Sequence, residues 1–498
     1  MNSWPLIACF GLGFVSVMLL TPVVIRWRAR HARAGKSFHH THKTPISRLG
    51  GIALAVAFSL VAAVILIWFP ADPERTRTRL IVIGSSLVMF LLGLADDLRP
   101  LGAKKKLLGQ ILIAAAVCYF GVQIEQFKNP LTQEVYELGA WGYLLTIGWL
   151  VALTNIINLI DGIDGLAAGI ALMLMALLAY VGFGGGLTFP VLMAGGMFGA
   201  LLAFLRFNFP PARIYMGDGG AYFLGFLIAI LTLVHSQKGT IVAALVAPLF
   251  ALALPIVDVS LAILRRGLKG LPIFRPDRKH LHHRLQDIGL SRTRAVLVLY
   301  GLSAIFLLLA FGVFWSQGRW VPILFGFMCL ILVFSARSFN FSRDWFAVGR
   351  VLENSLEIRK ETHYALALSR WLELEAERAE SPDSLWSDYV FALGKMRFTS
   401  VRLTTPEGAR SWAAPGIVTH QLARAHELQF EEVVRLEFGG NGDLTSPRVF
   451  EHLSELAAEA WLKAANRWSA THGQPLRFSS APPPLADPPS GQVSRVPV

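Results

Sequence analysis

Charged residues are scarce in this chain. They make up 16% of its 498 residues, against about 25% in ordinary soluble proteins. The shortage is confined to the part before about residue 335, where long apolar stretches alternate with short polar segments. The composition therefore excludes a single soluble domain. It predicts a membrane domain over residues 1–336 and a soluble region over residues 340–478.

Cysteine is also scarce, and Cys9, Cys118 and Cys329 each lie inside an apolar stretch. This excludes a disulfide framework and a thiolate metal site, and we interpret the three as small hydrophobic side chains. No Lys or Arg precedes the first apolar stretch, so that stretch is not a typical signal peptide.

Eleven apolar stretches approach the roughly 20 helical residues that a bilayer core of about 30 Å requires. We expect an all-α polytopic membrane protein of about 11 transmembrane helices, with a small C-terminal cytoplasmic α+β domain. The predicted spans are 5–25, 50–69, 80–95, 107–124, 141–158, 166–184, 188–205, 219–235, 240–264, 296–315 and 320–336.

Basic residues between these spans set the orientation. With the N-terminus outside, the cytoplasmic loops hold 22 Lys and Arg residues and the opposite loops hold 6. Positive loops face the cytoplasm, so the C-terminal region is predicted to be cytoplasmic. The net charge of +13 is explained by this asymmetry, and we expect no nucleic-acid partner.

Acidic residues of the membrane domain gather at predicted cytoplasmic span ends: Asp96 and Asp97, Asp161 and Asp164, and Asp218. Charges inside a bilayer are costly, and adjacent carboxylates ionise together only near cations. Carboxylate and carboxamide oxygens suit Mg²⁺, which also takes substrate phosphates as ligands. The acids therefore predict a magnesium site at the cytoplasmic edge.

The second acidic group belongs to a run of polar residues spaced by three, Asn155, Asn158, Asp161 and Asp164. Glycines in this segment predict a helix break near Asp161, which places Asn158 and Asp161 at a helix end. Around Asp218, the sequence Gly-Asp-Gly-Gly would let the backbone approach a phosphate closely.

A basic loop after the ninth span carries His280, His282, His283 and Arg284. These histidines could be metal ligands or phosphate-binding donors. The surrounding Arg and Lys residues favour phosphate recognition.

These motifs, NxxNxxDGxDGLA, GDxG and HxHHR, resemble those of the polyprenyl-phosphate N-acetylhexosamine-1-phosphate transferases, within glycosyl transferase family 4. The resemblance covers about residues 1–336. Two departures stand out. Pro45-Ile46-Ser47 replaces the usual Pro-Thr-Pro, and Ala221 replaces the serine of GDxGS.

The resemblance implies a role for each matched residue. The catalytic group would comprise Asp96, Asp97, Asp161 and Lys106, with Asp96 deprotonating or orienting the lipid phosphate. Asn158 and Asp218 would bind Mg²⁺, with Mn²⁺ as the alternative ion. The substrate-binding residues would be Lys43, Arg48, Asp164, His280, His282, His283 and Arg284.

The reaction so implied joins a UDP-N-acetylhexosamine to undecaprenyl phosphate and releases UMP, as the first membrane step of cell-envelope polysaccharide synthesis. The Asp277–Arg284 form of the basic loop favours UDP-GlcNAc as the donor. We expect a homodimer in the bacterial inner membrane with a cytoplasmic active site.

Three alternatives compete with this interpretation. A transporter or flippase would bury acids at mid-span and at both faces. A CDP-alcohol phosphotransferase would need an arginine that the DGIDGLAAG segment lacks. A phospho-N-acetylmuramoyl-pentapeptide transferase is disfavoured by the form of the basic loop.

The C-terminal region shows no catalytic motif. Residues 344–380 and 448–466 are predicted helices, and 400–405 and 431–438 are predicted strands. Sensing, partner docking or a purely stabilising role all fit this pattern. The Pro-rich tail, residues 479–498, is predicted to be disordered.

Overall fold

A computed structural model gives the fold. It describes residues 4–31, 46–129, 132, 134–184, 188–236, 249–250, 252–253, 256–257, 260, 285, 289–316, 319–338, 355–405, 408–414, 424–430, 434–440, 447–474, 476 and 478. Several predicted features lie outside the described residues: Lys43, His280, His282, His283, Arg284, most of span 240–264, and the tail 479–498.

The chain divides into two compact units. The first comprises Met1–Ala262 and Pro276–Ser342, and the second comprises Ile263–Arg275 and Arg343–Val498. The helices described in the first unit are α1 (Trp4–His31), α2 (Gly50–Trp68), α3 (Pro73–Leu98), α4 (Ala103–Tyr119), α5 (Ala140–Ile160), α6 (Leu166–Gly184), α7 (Thr188–Asn208), α8 (Gly217–Ser236), α9 (Arg292–Trp315) and α10 (Val321–Ser338).

Eight of the described helices, α1–α3 and α5–α9, are long and apolar enough to cross a membrane. The other two helices are shorter in their apolar parts. α4 has 17 residues and three lysines in its first turn, and the apolar part of α10 is limited to Val321–Leu332. The protein is therefore a mostly helical, multi-pass membrane protein. The count of eleven spans stays a prediction.

The helices that carry two of the predicted spans have other ends than those spans, for local reasons. Span 80–95 lies inside α3, which begins earlier, at Pro73. Asp72 caps the start of this helix by accepting a hydrogen bond from Arg75 N at 2.9 Å, and Pro73 is a favoured first residue of a helix. Span 107–124 ends early, at Tyr119, because Gly121 adopts a φ of +94°. The chain then forms a short antiparallel ribbon, β1 (Gln126–Lys128) with β2 (Val135–Glu137).

α7 and α8 lie at the centre of the first unit, with most of their side chains buried. α1 crosses α7 at glycines, since a Cβ added to Gly13 or Gly199 would overlap the carbonyl oxygen of Gly196 or Phe10. Small residues give membrane helices this close backbone contact. The element that carries Asp218 is thus enclosed by packed helices.

The second unit contains helices and an antiparallel sheet. Its strands, in the order β4-β3-β6-β5, are β3 (Phe398–Thr405), β4 (Gly408–Ala413), β5 (Arg424–Phe430) and β6 (Val434–Gly440). Its described helices are α11 (Ser355–Arg378), α12 (Pro382–Lys395) and α13 (Pro447–His472). Leu403 pairs with Leu436 and Val401 with Phe438, and these four side chains join the core of the unit. α12, β4 and β5 were not predicted from the sequence.

Candidate active site

Three helix ends meet at one end of the first unit. Asp96 lies in the last turn of α3, Lys106 in the first turn of α4 and Asp218 in the first turn of α8. The Lys106 ammonium forms an ion pair with Asp96 Oδ2 and donates to Asp218 Oδ2 at 3.0 Å. Asp96 is buried, and its Oδ1 accepts from Leu101 N at 2.8 Å. The lysine therefore joins two of the predicted acidic groups.

Asp97, although adjacent to Asp96, faces a different partner. Its Oδ1 accepts from Asp218 N at 3.0 Å and its Oδ2 accepts from Gly219 N at 2.8 Å. The first N–H groups of a helix have no partner within the helix and carry its positive dipole end. Asp97 thus caps α8 from α3. The approach is close because Gly93 has no Cβ to overlap the Asp218 carbonyl oxygen.

The segment before α2 is fixed against the segment before α8. Tyr215 N donates to Ser47 O at 2.8 Å, and Gly50 N donates to Tyr215 O at 3.0 Å. Gly217 follows with a φ of +75°, a conformation that L side chains rarely adopt, and a Cβ there would overlap the Arg48 carbonyl oxygen. Arg48 itself is exposed, and its charge acts on the Asp97 carboxylate. The structure places this predicted substrate-binding residue at the edge of the site.

The DGIDG loop between α5 and α6 completes the polar region. Asp164 Oδ2 accepts from Ala212 N at 3.0 Å, and Gly165 N donates to Asn208 Oδ1 at 3.1 Å. From α9, the Tyr300 hydroxyl donates to the Gly165 carbonyl oxygen at 2.5 Å. The loop is therefore held from both α7 and α9.

Asp161 follows the last residue of α5 and is partly buried. Burial of the carboxyl group raises its pKa well above the ordinary value, and the negative charges of Asp218, Asp97 and Asp164 raise it further. The Gly217 N–H opposes this shift only in part. The ionised form of Asp161 is therefore disfavoured first by burial and then by three neighbouring acids.

The two predicted asparagines differ in their surroundings. Asn155 Nδ2 donates to Gln110 Oε1 at 2.7 Å and to Val151 O at 2.8 Å, so this side chain faces α4. Asn158 lies partly buried in the last turn of α5, where its carbonyl oxygen accepts from Asp161 N at 3.3 Å. The break predicted near Asp161 is where α5 ends.

The residues present fit a divalent cation of the magnesium type. Asp218, Asp161 and Asn158 supply oxygen atoms, the donor type that Mg²⁺ prefers, and the charges of Asp218 and Asp97 act on Asp161. Within the described residues, no three His, Cys or acidic side chains form a group that could hold a metal by themselves. Mg²⁺ commonly uses one or two carboxylates together with water and substrate phosphates, so this donor set is compatible with it.

Sequence reasoning missed three polar residues of this region: Gln110, Tyr222 and Tyr300. Gln110 lies four residues after Lys106 on α4, and Tyr222 lies four residues after Asp218 on α8. Residues four apart share a helix face, so this spacing could have indicated both. Tyr300 lies far away in the sequence and gave no such signal.

The part of the chain that carries these side chains is similar in sequence to known proteins. The sequence model of glycosyl transferase family 4 matches residues 79–236. A probable undecaprenyl-phosphate N-acetylglucosaminyl 1-phosphate transferase of Bacillus subtilis is 35% identical over 330 residues, covering 66% of this chain and 90% of that protein.

Two further relatives are more distant. A decaprenyl-phosphate N-acetylglucosaminephosphotransferase of Mycobacterium tuberculosis is 33% identical, over 52% of this chain and 70% of its own length. A phospho-N-acetylmuramoyl-pentapeptide-transferase of Shouchella clausii is 29% identical, over 61% of this chain and 96% of its own length.

The helices, the site and these similarities together define a membrane-embedded transferase of phosphorylated sugars. The chain belongs to glycosyl transferase family 4.

Proposed function

We propose that this protein transfers N-acetylhexosamine 1-phosphate, with GlcNAc 1-phosphate favoured, from a UDP-sugar to undecaprenyl phosphate. The observation that carries this proposal is the Lys106 ammonium held between Asp96 and Asp218, where three helix ends meet. A reaction between two phosphate-bearing substrates needs charge neutralisation above all. Helix ends at the membrane edge lie at the depth of a lipid phosphate.

In the proposed reaction, an oxygen of the lipid phosphate attacks the β-phosphorus of the UDP-sugar. The bond between that phosphorus and the bridging oxygen breaks, and UMP leaves with the oxygen. We favour direct attack over a phospho-enzyme. Asp96, already paired with Lys106, would deprotonate or orient the lipid phosphate, and Arg48 would contact the phosphates at the exposed edge.

We assign the proposed cation site to Asp218 and Asn158, with Asp161 beside them. When bound, Mg²⁺ would supply charge neutralisation and orientation of the diphosphate. Lys106 would keep Asp218 in place by its hydrogen bond. Asp164 would face the uridine end of the donor. The basic loop with His280, His282, His283 and Arg284 would contact the diphosphate or the sugar.

Transfer of phospho-N-acetylmuramoyl-pentapeptide is the second candidate. The relative from Shouchella clausii, matched over nearly its whole length, favours keeping it. The two candidates differ in the donor alone, so a panel of UDP-linked donors separates them.

The excess of basic residues in one set of loops supports placing the site on the cytoplasmic side of the bacterial inner membrane. Lys106 and Arg48 belong to those loops. The homodimer stays a prediction, to be measured by the mass of the purified protein.

The test uses the purified full chain with undecaprenyl phosphate, Mg²⁺ and labelled UDP-GlcNAc. We expect UMP release, its loss on chelation and its recovery when Mg²⁺ is returned. Asp218→Ala should reduce the rate at least about 100-fold, the usual effect of removing one electrostatic group from an active site.

Asp72→Ala is the matched control, because Asp72 is also an aspartate at a helix start but is exposed and caps α3 at its other end. It should keep the wild-type rate. Wild-type UMP release by Asp218→Ala would reject the cation assignment. No UMP from any donor with the wild-type chain would reject the function.

A further inference from the structure

Gly165 is the residue at which two other helices hold the DGIDG loop. Its N–H donates to Asn208 Oδ1 on α7 at 3.1 Å, and its carbonyl oxygen accepts from the Tyr300 hydroxyl on α9 at 2.5 Å. The same oxygen accepts from Gly169 N at 2.9 Å, at the start of α6. A carbonyl oxygen has two lone pairs, so the tyrosine and α6 together use both.

Tyr300 reaches this oxygen because glycines leave space for the end of its ring. A Cβ added to Gly169 would overlap Cζ and Oη of the tyrosine, and a Cβ on Gly165 would lie 3.4 Å from Oη. The Tyr300 ring is partly buried and packs against the core of the first unit. Close packing therefore holds the hydroxyl at the Gly165 carbonyl oxygen.

This contact acts on the backbone directly after Asp164. The peptide group that joins Asp164 to Gly165 is held through its N–H by Asn208, and the next peptide group is held through its carbonyl oxygen by Tyr300. The Asp164 side chain has its own anchor, since Oδ2 accepts from Ala212 N at 3.0 Å. Loss of the tyrosine hydroxyl would release one of the three contacts that fix the direction of this carboxylate.

Asp161, the other acid of the loop, is positioned by its own helix. Its N–H donates to the carbonyl oxygens of Ile157 and Asn158 at 3.2 and 3.3 Å, in the last turn of α5. The proposed cation site should therefore keep its geometry without the Tyr300 hydroxyl. α9, which carries Tyr300, begins eight residues after Arg284 of the basic loop. The tyrosine thus ties the helix that follows one proposed donor-binding segment to the other such segment.

We propose that Tyr300 is a positioning residue for the UDP-sugar, because its hydroxyl holds the Gly165 carbonyl oxygen and so fixes the adjacent Asp164 carboxylate. This inference rests on the proposed function, in which Asp164 faces the uridine end of the donor. The hydroxyl then serves affinity for the donor and not the chemical step.

The test compares Tyr300→Phe with the wild type in the UMP-release assay, since phenylalanine keeps the ring and removes only the hydroxyl. We expect the KM for UDP-GlcNAc to rise about fivefold to tenfold, the change that loss of one ordinary hydrogen bond produces. A mutation that removes binding shared by the ground state and the transition state raises KM alone. The kcat and the KM for undecaprenyl phosphate should therefore stay within about twofold of the wild type.

The matched control is Tyr389→Phe, which removes another buried hydroxyl, one that donates to Ala457 O at 3.1 Å in the second unit. It should leave all three constants unchanged. An unchanged KM for UDP-GlcNAc in Tyr300→Phe, with or without a fall in kcat, would overturn the inference. An equal rise in the KM of both substrates would also overturn it, because a general loosening of the fold would explain that result.

A double-mutant cycle shows whether Tyr300 acts through Asp164. In an Asp164→Ala background there is no carboxylate to position, so Tyr300→Phe should raise the KM for UDP-GlcNAc by no more than about twofold. The same fivefold to tenfold rise in both backgrounds would refute the link between the two residues.

Hydrogen exchange followed by mass spectrometry provides a measurement that does not depend on turnover. Tyr300→Phe should accelerate exchange of the Gly165 and Gly169 N–H groups, because the loop loses a contact that restrains its opening. Strand β3 of the second unit is the internal control and should exchange at the wild-type rate. Unchanged exchange at both glycines would overturn the inference. If the wild type releases no UMP from any donor, the proposed function fails, and this measurement still shows whether Tyr300 holds the loop.

Discussion

Replacing Asp97 by asparagine separates a structural role of this residue from a catalytic one. The Asp97 carboxylate accepts from Asp218 N at 3.0 Å and from Gly219 N at 2.8 Å. An asparagine offers one oxygen acceptor and one NH2 donor. One N–H of α8 would therefore keep its partner, and the other would face a second donor.

The magnitude follows from these two contacts. An N–H left without a buried partner costs about 1–3 kcal/mol. We expect Asp97→Asn to lower the free energy of unfolding by about that amount, 1–3 kcal/mol. Activity should fall as well, because the displaced first turn of α8 carries Asp218.

The assay pairs thermal unfolding of the purified protein with UMP release. Asp164→Asn is the matched control, because Asp164 accepts a backbone N–H through Oδ2, at 3.0 Å from Ala212 N. The asparagine oxygen can replace that acceptor, so the unfolding temperature should change little.

An Asp97→Asn protein that loses activity but unfolds at or above the wild-type temperature would refute the capping argument. Removal of a purely catalytic carboxylate often stabilises a protein, since active sites sacrifice stability for function. The sign of the stability change therefore distinguishes the two roles.

Two further predictions concern Asp161 in the DGIDG loop and Gly169 in the first turn of α6. The raised pKa of Asp161 means that its ionised form costs stability at neutral pH, a cost that shrinks once the pH falls below the folded-state pKa and is gone below the unfolded-state pKa. Without metal, Asp161→Asn should therefore unfold at a higher temperature than the wild type at neutral pH, and the difference should be smaller in acid. The variant should release no UMP. An equal or lower unfolding temperature of the variant at neutral pH would contradict this reasoning. Gly169→Ala should destabilise the protein by about 1–3 kcal/mol, because its Cβ would overlap Tyr300 Cζ. The control is Gly301→Ala on α9, where an added Cβ would meet open space; its free energy of unfolding should rise by up to about 1 kcal/mol. Similar unfolding temperatures for the two variants would argue against close packing at Tyr300.

The positions of the spans were largely predictable, because hydrophobic length is a local property of the sequence. The ends of the helices that form these spans were less predictable. α3 begins at Pro73 rather than near residue 80, since Asp72 and Pro73 start a helix whose first turns lie among charged residues. α4 stops at Tyr119 because of the positive φ at Gly121, a backbone choice that average hydropathy does not register.

The site was predictable as a set of residues but not as a set of contacts. Asp96 and Asp97 were treated together as an adjacent acidic pair, yet successive side chains on a helix point about 100° apart. Asp96 therefore faces Lys106 on α4, and Asp97 faces the start of α8. The distinction depends on which helix packs on each side of α3.

The sequence by itself determined that this protein crosses a membrane several times, and it indicated a transferase family through local motifs. Apolar length and motif spacing are written in short segments, so they need no tertiary information. Tertiary structure decided which groups meet: the Lys106 contact with Asp218 spans 112 residues and the Asp97 contact with Gly219 spans 122. Contacts at such separations are set by helix packing at glycines such as Gly93 and Gly217. In the structure, Asp96 and Asp218 share Lys106, Asp97 caps α8, and Asp161 is a carboxyl group with a raised pKa.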